Sequence, residues 1–215
     1  MSIINNFNKI KQEIKDKNPS QTVEIIAVSK TFQLNKIQPL IDHGHIHYGE
    51  NKVQEAEKKW LEIKKINKNL KLHMIGSLQT NKAKKAVEIF DCIHSLDSEK
   101  LAKELHKRQK EKNKNLEYFI QINLGSEYQK GGIQTHDIKS FRDYCINDLN
   151  LTVLGLMAIP PNDNQPNKYF KQISELNINL GLKKLSIGMS QDYLEAVDYG
   201  ASYVRVGSAI FGKRN

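Results

Sequence analysis

The sequence has 215 residues, 39% of them apolar and 27% charged, a balance that excludes a largely disordered chain and supplies enough apolar surface for a packed core. A net charge of +9 invites a nucleic-acid reading, yet only four of the 33 basic residues are Arg, and the Lys sit in mixed runs such as Glu55-Ala-Glu-Lys-Lys. Such runs describe solvated helix faces, and with no recognisable DNA- or RNA-binding module no specific nucleic-acid partner is expected.

In chain order, Ile3, Ile4, Phe7, Ile10 and Ile14 recur at helical spacing and predict an amphipathic helix ahead of any strand. Short apolar or alternating runs then predict strands at 24–29, 45–49, 71–75, 91–95, 117–124, 152–157, 184–187 and 202–206. Helical periodicity fills the gaps, at 34–43, 52–66, 81–90, 98–112, 137–149, 167–176 and 191–199. Strands that alternate with helices pair in parallel through right-handed crossovers, and eight of them close on themselves. The expectation is an α/β fold: a single (β/α)8 TIM barrel over residues 1–215 with an extra N-terminal helix. An open doubly wound sheet is the competing architecture, and the lack of Gly-x-Gly-x-x-Gly after the first strand counts against its dinucleotide-binding form.

The longest apolar stretch, Leu151 to Ile159, is far short of the ~20 residues that span a membrane. Met1-Ser-Ile-Ile-Asn-Asn also lacks the layout of a signal peptide, so a cytoplasmic protein without membrane contact is expected. Cys92 and Cys145 show no CxxC or Cys/His spacing, which argues against a disulfide framework and a zinc site. His43, His45 and His47 alternate, but Gly44 interrupts them; they read as strand-entry residues at the inactive barrel end, and no metal is expected.

A barrel of this kind carries its chemistry at the carboxyl ends of the strands, with phosphate held by the loops after strands seven and eight. Gly188-Met189-Ser190 and Gly207-Ser208 occupy those two loops. Each alone reads as a turn, with Ser190 capping the next helix; placed together they form a cup of backbone N–H groups and hydroxyls suited to an anion. Lys30 follows the apolar run Ile25-Ile-Ala-Val-Ser at the end of the first strand, where a partly desolvated amine serves as a nucleophile toward an aldehyde. Arg205 on the last strand points either into the mouth or outward between helices, and if buried needs a partner. Glu50 is either a general base or a helix cap, His73 either a packed residue or a base, and Cys145 a packing residue. An amine, an anion cup and an arginine across one mouth suggest pyridoxal 5'-phosphate.

Six blocks, with the order and spacing that join them, carry a family resemblance: Ala27-Val-Ser-Lys-Thr, Tyr48-Gly-Glu-Asn-Lys-Val-Gln-Glu, His73-Met-Ile-Gly-Ser-Leu-Gln-Thr-Asn-Lys, Gly155-Leu-Met-Ala-Ile, Leu185-Ser-Ile-Gly-Met-Ser-Gln-Asp and Val204-Arg-Val-Gly-Ser-Ala-Ile-Phe-Gly. From about residue 24 to 212 the chain resembles the pyridoxal phosphate homeostasis proteins. The resemblance implies a barrel of the alanine racemase N-terminal type, with pyridoxal 5'-phosphate held as a Schiff base on Lys30. It implies that Met189, Ser190, Gly207 and Ser208 hold the phosphate, that Arg205 faces the pyridine nitrogen, and that Asn51 and the segment from His73 to Gly76 line the same mouth. It further implies a monomeric protein that buffers vitamin B6 or delivers it to pyridoxal phosphate-dependent apoenzymes, without robust turnover and with no catalytic residue assigned. The alternative is a pyridoxal phosphate-dependent amino-acid racemase or lyase, for which Tyr48 or Tyr128 would have to act as a second acid/base. Three departures bear on loops: Phe32-Gln33-Leu34 replaces a proline-containing continuation, Ile187 stands where methionine is frequent, and Lys130-Gly131-Gly132 carries an additional glycine.

Overall fold

Residues 2–125 and 131–213 are described by the computed structural model. Tyr128 and Lys130 lie outside the described residues. The chain begins with α1 (Ile3–Lys17), whose Ser2 side chain accepts the Asn5 N–H and whose Phe7, Ile10 and Ile14 are buried. The first half then follows the order expected: β1 (Glu24–Val28), α2 (Leu34–Asp42), β2 (His47–Glu50), α3 (Val53–Ile66), β3 (Lys71–Met74), α4 (Ala83–Ile89), β4 (Cys92–Leu96), α5 (Glu99–Glu111) and β5 (Glu117–Asn123). The second half contributes β6 (Ile133–Gln134), α6 (Ile138–Asp143), β7 (Thr152–Met157), α7 (Pro166–Asn179), β8 (Lys184–Met189), α8 (Tyr193–Asp198), β9 (Tyr203–Val206) and α9 (Ser208–Phe211).

All strand pairs are parallel, and two pairings decide the architecture. β4 pairs with β5 through Ile93 and Tyr118, and β1 pairs with β9 through Ile26 and Arg205. The ring β1-β2-β3-β4-β5-β7-β8-β9 is thereby closed, which removes the open doubly wound sheet. The two-residue β6 lies outside the ring, beside the end of β5. β6 and α9 are too short to register as periodic segments in sequence. The helix expected over 137–149 is α6 followed by a π-helical turn, Tyr144–Asp148, with Cys145 buried within it.

Side chains alternate in and out along each strand, so the apolar residues divide into two sets. Ala27, Leu72, Ile93, Tyr118, Leu156 and Val204 pack outward against helical residues such as Ile37, Trp60, Leu105 and Phe170. Ile26, Cys92, Phe119, Met157 and Tyr203, their neighbours on the same strands, form a separate cluster without helical members, and this fills the lumen. Each large side chain so buried stabilises the fold by about 1.5–3 kcal/mol. The positive charge is spread on the outside, in pairs such as Lys85 with Glu57 and Arg108 with Glu104, as the mixed runs anticipate.

Candidate functional site

The ends of β1, β8 and β9 carry most of the mouth. β1 hands over to Ser29 and Lys30, and the next residue, Thr31, has φ 66°. A β-branched residue in the left-handed region is strained, and surrounding structure must hold it there. The restraint is a buried charge network. Glu50, fully buried at the end of β2, accepts hydrogen bonds at Oε1 from Ser29 Oγ (2.7 Å), Lys59 Nζ (2.9 Å) and Trp60 Nε1 (2.9 Å). Lys59 also donates to the Ser29 carbonyl (2.8 Å) and to Glu55 Oε1 (3.0 Å), and Glu55 accepts the Thr31 N–H (2.5 Å). Lys30 is thus gripped on both flanks. Glu50 is neither general base nor helix cap but the anchor of this grip. Phe32, one of the departures from the family pattern, packs at a tilt against Phe211 of α9 with ring centroids 5.2 Å apart.

Facing Lys30, β8 shifts register between Ser186 and Met189, and Gly188 takes φ 88° within that irregularity. A Cβ on Gly188 would fall 2.6 Å from Ala196 Cβ, so glycine is required both for the backbone angle and for the approach of α8. The turn closes where Asp192 Oδ1 accepts the Met189 N–H (2.6 Å). Asp192, not Ser190, is the N-cap residue of α8. Ser190 instead reaches across to the β9 loop, its Oγ accepting from Gly207 N (3.1 Å) and Ala209 N (3.5 Å), which ties the two anion loops together.

Lys30, Asn51, Met189, Ser190, Arg205, Gly207 and Ser208 line one cavity of about 280 Å³, with Val28, Ile75, Ile159 and Gln191 completing its wall. His73 and Gly76 lie outside it. Gly76 packs on the backbone of Asn51, where a Cβ would come within 2.5 Å of the Asn51 oxygen, so its part is to let that loop close. His73 is sealed in the lumen, with His47 Nδ1 2.9 Å from its Nε2 and His94 Nε2 2.9 Å from its Nδ1. Arg205 points inward: Nη1 donates to Ser186 O and Oγ, both at 2.7 Å, and Nη2 donates to Ala158 O at 2.9 Å. Burial lowers its pKa to about 10, against an opposing pull from Asp192, and the guanidinium remains charged at neutral pH.

Tyr48 turns away from the mouth and packs on Trp60, with ring centroids 4.7 Å apart, which removes it as a second acid/base. Sequence reading did not anticipate His47, His94 and Ser186 as partners, although each falls on the inward parity of its strand. Among the described residues, His73, Cys92 and His94 bring possible metal-ligand atoms within 4.8 Å of one another. Both nitrogens of His73 are already hydrogen bonded, so the arrangement offers no open ligand set for an ion.

The buried histidines carry a testable consequence. Burial, followed by neighbouring rings and Arg205, holds His73 and His94 well below the usual imidazole range. Both stay neutral in the folded state while the unfolded chain takes up protons below about pH 6.5, so stability is full above that pH and falls as pH drops through it. Urea unfolding is expected to show about 3 kcal/mol less stability at pH 5.5 than at pH 7.5 from these two rings. Equal stability at the two pH values would contradict neutral rings.

Residues 2–215 match the family model for the alanine racemase N-terminal domain. The chain belongs to this family. A curated member, the pyridoxal phosphate homeostasis protein of Aquifex aeolicus, is 38% identical over 200 residues, covering 89% of this chain and 87% of that protein. The protein of the same description from Haemophilus influenzae is 37% identical and covers 100% of this chain and 97% of its own length. Among solved structures, PipY of Synechococcus elongatus with pyridoxal phosphate bound superimposes with TM-score 0.88 at 32% identity, covering 98% of this chain and 100% of that one. Alanine racemase of Acinetobacter baumannii, at 16% identity and TM-score 0.72, shares the fold, and this chain covers 60% of its length.

Proposed function

We propose that this alanine racemase N-terminal domain family member binds pyridoxal 5'-phosphate at the mouth around Lys30 and stores it or passes it to apoenzymes, acting as a monomeric cytoplasmic barrel without enzyme-like turnover. The observation that carries this reading is the convergence of Lys30, the tied loops at Ser190 and Gly207, and Arg205 on one cavity of about 280 Å³. That volume suits a single-ring phosphate ester and is too small for a dinucleotide. The names of the curated relatives and the cofactor bound to PipY support it. Among the described residues no helix is long and apolar enough to cross a membrane.

Bound pyridoxal phosphate supplies an aldehyde and an electron-withdrawing ring. In this chain Lys30 supplies the amine, and the Glu50–Lys59–Glu55 grip fixes the direction from which it approaches. Ser190 holds the Gly207 and Ala209 amides in place, so the backbone N–H groups around them are arranged before the phosphate arrives. Arg205, a permanent cation, disfavours a proton on the ring nitrogen, and the ring is a poorer electron sink for it. Storage needs only the first two properties, and the third handicaps catalysis through a carbanion.

Borohydride reduction after loading, followed by peptide mapping, is expected to place the cofactor mass on the peptide containing Lys30. Incubation with amino acids in deuterated water is expected to leave their α-hydrogens in place over many hours. Attachment to a different lysine would refute the site, and α-deuteration at enzyme-like rates would favour a racemase or lyase.

A further inference from the structure

A string of hydrogen bonds runs through the barrel lumen from rim to mouth. His47 faces the Glu24 carboxylate at 3.6 Å on the amino-terminal side of the strands. From there the links are His47 Nδ1 to His73 Nε2, His73 Nδ1 to His94 Nε2, and His94 Nδ1 to Ser186 Oγ, each 2.9 Å, then Ser186 Oγ to Arg205 Nη1 at 2.7 Å. His73, His94 and Ser186 are buried, and Arg205 is 5% exposed. A lumen otherwise filled by bulky apolar layers is here crossed by five polar side chains.

The direction of the string follows from one end. A guanidinium only donates, so Ser186 Oγ accepts from Arg205 and its own hydroxyl proton must go elsewhere. Among the described contacts the acceptor is His94 Nδ1. A neutral ring with Nδ1 accepting carries its proton on Nε2, so His94 donates to His73, His73 donates to His47, and His47 presents its Nε2–H to Glu24. Every dipole is aligned, with the negative end at the guanidinium and the positive end toward the carboxylate. Arg205 makes no ion pair with a carboxylate among the described residues, and this aligned string is what faces its charge from below.

We propose that Ser186 and His94 are positioning residues for Arg205: their one-way hydrogen bonds, extended through His73 and His47 to Glu24, hold the guanidinium charged and aimed at the ring nitrogen of the cofactor. The inference deepens the reading of the mouth as a pyridoxal phosphate site and rests on it for the ligand, but the string itself is a property of the unliganded chain.

Two measurements separate the parts. Nitrogen-15 spectra of the histidines in cofactor-free protein at pH 7.5 are expected to show His47, His73 and His94 all protonated at Nε2, and Ser186→Ala is expected to release His94 into a mixture of tautomers. A proton on Nδ1 of His94 in the unaltered chain would overturn the string whatever the ligand. In loaded protein, Ser186→Ala is expected to weaken cofactor binding about tenfold, the effect of one lost hydrogen bond to a charged group, and to move the cofactor absorbance toward its ring-protonated form. Ser186→Thr, which keeps the hydroxyl, is expected to restore both. Leu105→Ala, which destabilises the outer core, is expected to leave the absorbance unchanged and so serves as the folding control. Unchanged absorbance and affinity in Ser186→Ala, with the histidine tautomers as expected, would leave the string intact and overturn its role toward the cofactor; failure of the unaltered chain to bind cofactor at all would instead overturn the ligand reading.

Discussion

Lys30→Ala is expected to give a colourless protein that carries no borohydride-fixed cofactor on any peptide. The amine stands in the same cavity as the two anion loops and Arg205, and its removal leaves those partners in place. Reversible capture through the phosphate and ring therefore survives, while apparent affinity falls at least about 100-fold, on the order of 3 kcal/mol. Equilibrium dialysis against pyridoxal phosphate measures the residual binding, and absorbance shows the lost adduct. The Glu50–Lys59–Glu55 grip on this segment acts through Ser29 and Thr31, both of which the variant keeps. Undiminished affinity in the variant would place the covalent contact elsewhere.

Lys59→Met is expected to cause the largest loss of stability. Its amine is the common donor to Ser29 O, Glu50 Oε1 and Glu55 Oε1, with 9% of the side chain exposed and none of Glu50. Removing one partner of a buried pair leaves an uncompensated charge and costs about 3–5 kcal/mol. For a chain of this length each kcal/mol lowers Tm by about 2–4 °C, so calorimetry should register a fall of about 10 °C. The double variant Glu50→Gln with Lys59→Met should lose less, since no bare carboxylate remains in the core. An exposed pair such as Lys65 with Glu62 offers the contrast: truncating Lys65 should cost under about 1 kcal/mol. A loss in Lys59→Met as small as that of the exposed pair would show that Glu50 reaches water. Because the grip also holds Thr31 at positive φ, the variant should form its Lys30 adduct more slowly even where it remains folded.

The barrel was legible because its signals are local. Apolar runs with a period of two mark strands such as Thr152–Met157, where the expected and observed bounds coincide, and helical spacing from Ile3 to Ile14 marks α1. Lys30, Ser190, Arg205 and Gly207 were legible as candidates because position at a strand end is enough to aim a residue at the mouth. Ser190 departs from its local signal. Its spacing before Tyr193 looks like a cap, but the register shift at Gly188 lifts it off α8 and sets it against Gly207, a partner 17 positions away. His73 and Gly76 share one motif, yet the pleat sends His73 into the lumen and the loop carries Gly76 onto Asn51.

By itself the sequence determined the alternation of strands and helices, the family, and the strand ends from which chemistry is presented. All of these follow from short-range periodicity and from motifs a few residues long. The tertiary structure alone decided that Glu50 is an anchor, that Tyr48 faces Trp60, and that His47, His73, His94, Ser186 and Arg205 form one directed string. Those contacts join strands up to about a hundred positions apart, and their hydrogen bonds exist only when the register between strands is fixed to the residue, a quantity that no local pattern encodes.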